Sequence, residues 1–477
     1  MSSPRPMTDG EPRAERRASD LPPDSVEEES EAVFEALTPL PPASRRAPGL
    51  VRSGASVAIA MGVSNLLNVV FQLVTARLLP PAEYSLLVTM FAIVLIANVP
   101  ILSLQAKVAR EVAHALARGN PAGAGGILLE SLRPLARWGA IVLVLGLAAA
   151  IPFALIFNVQ RELPVLAVSV AVMATVPLPI AWGGLQGGER FASLGLSQLV
   201  YAVLKVGAGI TLAAVGFGAS AIVFGIAAAT VVTIGFSLWP LAGLLRAGRT
   251  VARRRRRLLD SYTAGAALVL SLIAALTNMD LLVSRAFLDN TEAGIYAAVG
   301  VAARGLLLLP IVATTVLFPR VAVLRHLTAE RKHLLGGLGV VLALGMLPLV
   351  AFFAIPVELI ELGFGKEYTG GAEWLGPLAA AMLIYALVEV YMFHFLALGR
   401  VRYGAILAGG LVLQLGLYAF LHDDPRQIIA VQLVTAATLL LLSELFDRRD
   451  RWLDRSRDEP ARGTPQAFDA DLVAEDR

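Results

Sequence analysis

Long apolar runs separated by short polar breaks set the pattern of this chain. Charge, Pro and Gly divide residues 50–446 into twelve such runs, near 54–78, 84–106, 138–157, 163–185, 193–215, 218–245, 261–284, 294–319, 334–355, 374–398, 403–421 and 427–446. About 20 apolar residues in a helix cross a ~30 Å hydrocarbon core, so each run predicts a spanning helix. The expected fold is an all-α polytopic membrane protein with two lobes of six helices, 51–245 and 261–446. Residues 1–50 are polar, rich in Pro, Ser, Glu and Arg, and read as a disordered tail. An Arg-rich linker, 246–260, joins the lobes, and 447–477 read as a second polar tail. With no cleavable signal peptide ahead of it, the first run is expected to act as a signal anchor.

Composition agrees: 56% of residues are hydrophobic, against about 45–50% in soluble domains. Cysteine is absent, which excludes disulfides and cysteine metal sites. No Walker motif, zinc spacing or nucleophile–base–carboxylate set appears, so an enzyme, a cofactor and a bound metal are not expected. Transport would then draw on an ion gradient, the membrane potential or the substrate gradient.

Charge sets the orientation. The connections after spans 2, 4, 6, 8 and 10 hold 19 Lys/Arg, and the other connections hold four. Short basic loops stay cytoplasmic, which places both termini inside. The run Arg253–Arg257 resembles a nucleic-acid patch, but between two spans it reads as a topology anchor on anionic headgroups. No nucleic-acid partner is expected.

The halves echo each other. Span 1 ends Phe71-Gln-Leu-Val-Thr-Ala-Arg77 and span 7 ends Met279-Asp-Leu-Leu-Val-Ser-Arg285. Gln72 falls on Asp280 and Arg77 on Arg285. Tyr84 and Tyr296 open the next spans, which carry the late prolines Pro100 and Pro310. Six spans per half predict repeats related by an axis along the membrane normal, with a site between them near the midplane.

A charge at membrane depth costs at least ~2.5–3.5 kcal/mol. The few in these spans are therefore the informative residues. Lys205 and Arg304 fall near the midplane, one in each lobe, as a diphosphate in a watery cleft would require. Alternatively each pairs with a neighbouring carboxylate or snorkels, and Asp280 is near enough for Arg304. Asp280 either pairs with Arg304, binds a coupling cation, or is protonated part of the time. Glu389 can share a helix face with Tyr385 and His394, as packing or as an ion site. Gln72 and Gln414, with Asn65, Asn68, Asn98 and Gln432, read singly as helix–helix glue. Together they make a hydrophilic interior.

Five segments carry a resemblance: Arg77-Leu-Leu-Pro-Pro-Ala-Glu-Tyr84, Gly184-Leu-Gln-Gly-Gly-Glu-Arg-Phe191, the Asp280 segment with Ala293-Gly-Ile-Tyr296, Phe364-Gly-Lys-Glu-Tyr368, and Leu396-Ala-Leu-Gly-Arg400. In this order, with twelve spans, the chain resembles the polysaccharide-transporter branch of the MOP exporter superfamily over roughly 50–446. That branch includes the Wzx-type O-antigen flippases. The resemblance implies a V-shaped, MATE-like transporter that alternates access. It would move polyprenyl-pyrophosphate-linked oligosaccharide across the bacterial plasma membrane for cell-surface polysaccharide assembly. Lys205, Arg304, Gln72 and Gln414 become the cavity candidates, and Asp280 and Glu389 the candidates for H⁺ or Na⁺ coupling. Membrane lipids, a polysaccharide polymerase and glycosyltransferases are the expected partners. The lipid II flippases of the superfamily carry two further spans that this chain lacks. A multidrug or small-molecule cation antiporter on the same fold is the competing expectation, and a non-transporting scaffold a third.

Overall fold

The computed structural model describes residues 48–133, 163–250, 261–310 and 327–458, with the isolated positions 141, 144 and 148. All regular structure among them is helical. The first half supplies α1 (Pro48–Leu78), α2 (Pro81–Ala117), α3 (Pro121–Leu132), α4 (Leu163–Thr175), α5 (Pro177–Gly187), α6 (Phe191–Ala214), α7 (Ala219–Leu238) and α8 (Ala242–Gly248). The second half supplies α9 (Ser261–Phe287), α10 (Asn290–Arg304), α11 (Leu327–Ala354), α12 (Pro356–Gly363), α13 (Ala372–Ala397), α14 (Gly404–Tyr418) and α15 (Pro425–Asp458). Short 3₁₀ turns follow α10 and α12 and precede α14.

Among the described residues, ten helical segments are long and apolar enough to cross a membrane. The 31-residue α1 occupies the place of the first predicted span. The third predicted span (138–157), apart from positions 141, 144 and 148, lies outside the described residues, as do the run Arg253–Arg257 and both far termini.

Prolines account for most departures from the hydropathy reading. The fourth span is two helices, α4 and α5, which break at Val176 before Pro177. The sixth ends at Leu238 rather than near 245: Pro240 has no N–H to continue the ladder, and the chain turns into α8. There α8 meets α3 backbone to backbone, since a Cβ on Gly248 would stand 2.2 Å from the Gly125 carbonyl carbon. In the eighth span α10 tightens into a 3₁₀ turn at Gly305–Leu308, just before Pro310. The last helix continues to Asp458, beyond the apolar limit at 446, because charge ends hydropathy without ending a helix.

Within the first half α6 packs on α1 and α7, and α2 on α5. In the second, α13 packs on α11 and α15, and α14 on α9 and α15. The halves meet where α2 lies against α9 and α10. Lipid is as apolar as the side chains, so close packing and hydrogen bonds hold such a seam. The buried residues of α2 include Ser85, Thr89 and Ala92, small enough for the helices to approach.

The repeat is physical. Tyr84 donates to Gln72 Oε1 at 3.4 Å in one half, and Tyr296 donates to Asp280 Oδ2 at 2.9 Å in the other. After the fourth span Arg190 bonds the Pro240 carbonyl at the end of the sixth. After the tenth, Arg400 pairs with Asp450 at the end of the twelfth. Hydroxyl pairs sit beside each tie, Ser197 with Ser237 and Tyr403 with Ser443.

Candidate functional site

Among the described residues, two polar centres lie in the membrane-spanning part, one in each lobe. In the first lobe α6 carries Lys205 toward α1 and α2. Its Nζ donates to Asn68 Oδ1 at 2.9 Å and lies 5.4 Å and 5.3 Å from the ring centroids of Phe71 and Phe91. Gly209, one turn on, makes room for Phe71: a Cβ there would stand 2.3 Å from the ring. Ring faces and an amide oxygen stabilise the ammonium without neutralising it. No carboxylate among the described residues pairs with it. Lys205 and Asn68 are both half-buried, so the charge is not sealed.

The second centre is closed. Asp280 is fully buried; its Oδ1 pairs with Arg304 Nη2 and its Oδ2 accepts from Tyr296. Arg304 also donates through Nε to the Thr277 carbonyl at 3.0 Å, which ties α10 to α9. Its Nη1 is buried without a partner and packs over Gly300, where a Cβ would stand 2.6 Å away. Of the two expectations for Arg304, the geometry realises the pairing with Asp280. The planar fork serves two bonds inside one lobe, through Nε and Nη2.

Beside this pair Gln414 is sealed within the lobe. Its Nε2 lies within hydrogen-bond distance of the Leu276 carbonyl, Gln432 Oε1 and the Tyr385 hydroxyl, at 3.1, 3.0 and 3.3 Å. In this conformation it joins α14 to α9, α13 and α15 and faces no cleft. Gln72 is half-buried and carries the Tyr84 hydroxyl. Glu389 is half-buried and has no hydrogen bond or ion pair with a described residue. Tyr385 lies within hydrogen-bond distance of Gln414, on the same helix as Glu389 and His394. Lys205 and Arg304 are not brought together; each makes its contacts inside its own lobe.

Sequence reading missed the two rings over Lys205. Phe71 lies in the repeated stretch, but nothing in the spacing of α2 points Phe91 at α6. A lone lysine in an apolar span with no acid at i±4 is the one usable signal, since such a charge needs a partner from elsewhere.

Comparison with known proteins adds the family. A family model described as polysaccharide biosynthesis protein matches residues 136–373. No curated protein matches the sequence. Among solved structures, an inward-facing multidrug resistance MATE family transporter of the MOP superfamily superposes with a TM-score of 0.63 at 13% identity, covering 86% of this chain and 100% of that one. An outward-facing MATE family transporter gives 0.57 at 15% identity, with 90% and 98% covered. Lipid II flippase MurJ in an inward closed conformation gives 0.58 at 10% identity, with 82% and 87% covered. The match over residues 136–373 and the shared fold make this chain similar to polysaccharide biosynthesis proteins and, in architecture, to transporters of the MOP superfamily.

Proposed function

We propose that the protein is a flippase for polyprenyl-pyrophosphate-linked oligosaccharide. It moves this substrate across the bacterial plasma membrane by alternating access, both termini being cytoplasmic, and so feeds cell-surface polysaccharide assembly. The observation that carries this is the un-neutralised ammonium of Lys205. Among the described residues this half-buried cation is held by an amide and two ring faces and no anion, and charge-assisted bonds to phosphate are strong in such surroundings. Arg304 is assigned a different part. Its charge is balanced by Asp280, so it fixes the geometry of α9 and α10 rather than gripping phosphate. Gln414 goes with it as a packing group, and Gln72 sits where the lobes meet. Glu389, with no partner among the described residues, is a better seat for a coupling H⁺ or Na⁺ than Asp280. A polymerase and glycosyltransferases would act on the same lipid-linked chain on either side of this step.

The test is reconstitution into vesicles with a fluorescent polyprenyl-pyrophosphate oligosaccharide. Lys205→Ala is expected to slow flipping at least tenfold and Lys205→Arg to keep part of the rate. Full-rate flipping by Lys205→Ala would overturn the assignment. One observation favours a second reading: a Glu389 carboxylate without a partner among the described residues suits a cation antiporter. In that case the same vesicles would concentrate a cationic dye, Glu389→Gln would stop them, and the lipid would not move.

A further inference from the structure

Near residues 79–83, 288–293 and 355–371 each lobe finishes a helix of the other. The last carbonyls of an α-helix have no donor of their own. Tyr368 donates its hydroxyl to the Ala76 carbonyl at 2.8 Å, with the Leu79 carbonyl 3.3 Å away, and so closes the end of α1. Arg77, in that same last turn of α1, reaches back to the Leu362 carbonyl at the end of α12. The two lobes thus exchange caps. Tyr84 stands edge-on to Phe364 and Tyr368, with centroids 6.4 Å and 5.8 Å away. Gly294 lets α10 lie directly on the start of α2, since a Cβ there would be 2.1 Å from the Pro81 carbonyl oxygen.

Arg285, the repeat counterpart of Arg77, is placed differently. It is 5% exposed, and its Nε and Nη1 are buried with no hydrogen-bond partner among the described residues. Glu83, across the seam, and Asp289 act on it through space. No ion pair forms with either. A buried guanidinium with orphaned donors raises the free energy of the closed arrangement, and water would satisfy those donors if the seam parted.

We propose that this end of the seam is a balanced gate. The exchanged caps of Arg77 and Tyr368 latch it shut, and the orphaned charge of Arg285 is the spring that favours opening. A hydrogen bond's net gain and an orphaned donor's cost are of the same order, so neither side dominates and a bound substrate can tip the balance. The gate serves the alternating access proposed above, but its equilibrium belongs to the empty protein.

The test therefore uses no substrate. The chain has no cysteine, so Leu78→Cys on α1 and Val357→Cys on α12, both exposed, accept spin labels on opposite lobes. Electron–electron distance measurement in vesicles then gives the open and closed fractions. Tyr368→Phe and Arg77→Gln should each raise the open-to-closed ratio about fivefold, the equivalent of one net hydrogen bond. Adding Arg285→Met to the Tyr368→Phe protein should reverse the widening. If neither latch substitution moves the distribution, or if Arg285→Met widens it further, the proposal is overturned. Failure of both Arg285→Met and Arg285→Gln to fold would also overturn it, because losing an orphaned charge should relieve the fold. Loss of flipping with an intact gate response would count against the substrate reading alone.

Discussion

Glu189 holds a left-handed backbone, φ 54°, the only non-glycine to do so among the described residues. Gly119, Gly216 and Gly399 take the same conformation at other helix ends, with φ of 67°, 89° and 69°. In all four places the next residue's N–H returns to a carbonyl five residues back, as in Arg190 to Leu185 at 2.8 Å. A side chain there costs ~1–2 kcal/mol relative to glycine. Glu189→Gly is expected to stabilise the protein by about 1 kcal/mol, read as a higher midpoint of thermal unfolding in detergent. At Arg304 the sign reverses. Arg304→Ala strands the buried Asp280 carboxylate and should destabilise by ~3–5 kcal/mol. The double change Arg304→Ala with Asp280→Ala should recover most of that, and a double variant no better than the single would show that the pair does not act as a unit. This pair was legible in the sequence, since both charges sit in neighbouring apolar runs where neither is tolerated alone. The rings around Lys205 were not, because ring contacts between α1, α2 and α6 leave no mark in the spacing of any one of them.

The first turn of α10 shows how an element answers to pH. Asp289 is its N-cap, accepting the Thr291 N–H at 2.9 Å, and that bond holds its carboxyl below the ordinary carboxylate range. The folded state is thus the stronger acid. The stabilisation is complete above the unfolded value near ~3.9 and is lost as pH falls through the lower folded value. Asp289→Ala should therefore lower the unfolding midpoint at neutral pH, and the gap from the parent should close on acidification. A gap independent of pH would rule out the cap as its source. Hydropathy recovered the order of elements and most of their centres, because membrane depth fixes the length of each apolar run. It misplaced ends wherever the helix and the hydrocarbon stop at different residues. At α7 the helix stops first, at Leu238, two residues before Pro240. At α15 it outlasts the apolar run by about three turns.

For the molecule as a whole the expected arrangement has the basic loops inside. Thr250→Cys should be shielded from an impermeant thiol reagent in intact cells, and Lys366→Cys should be labelled; both positions are exposed. Labelling at Thr250 from outside would invert the topology. Gly248 does not serve for this test, because its Cβ has no room against α3. The two-lobed plan was readable from paired stretches such as Phe71–Arg77 and Met279–Arg285, and the matched Tyr84–Gln72 and Tyr296–Asp280 bonds show why those stretches match. The exchange of helix caps was not readable, since its acceptors are main-chain atoms. A lock whose keyholes are backbone carbonyls has only half its parts written in the gene. A substitution at the exposed Leu362 leaves the acceptor in place, whereas a change at Tyr368 or Arg77 removes the donor itself. A saturation library selected for transport should tolerate many residues at Leu362 and very few at Tyr368.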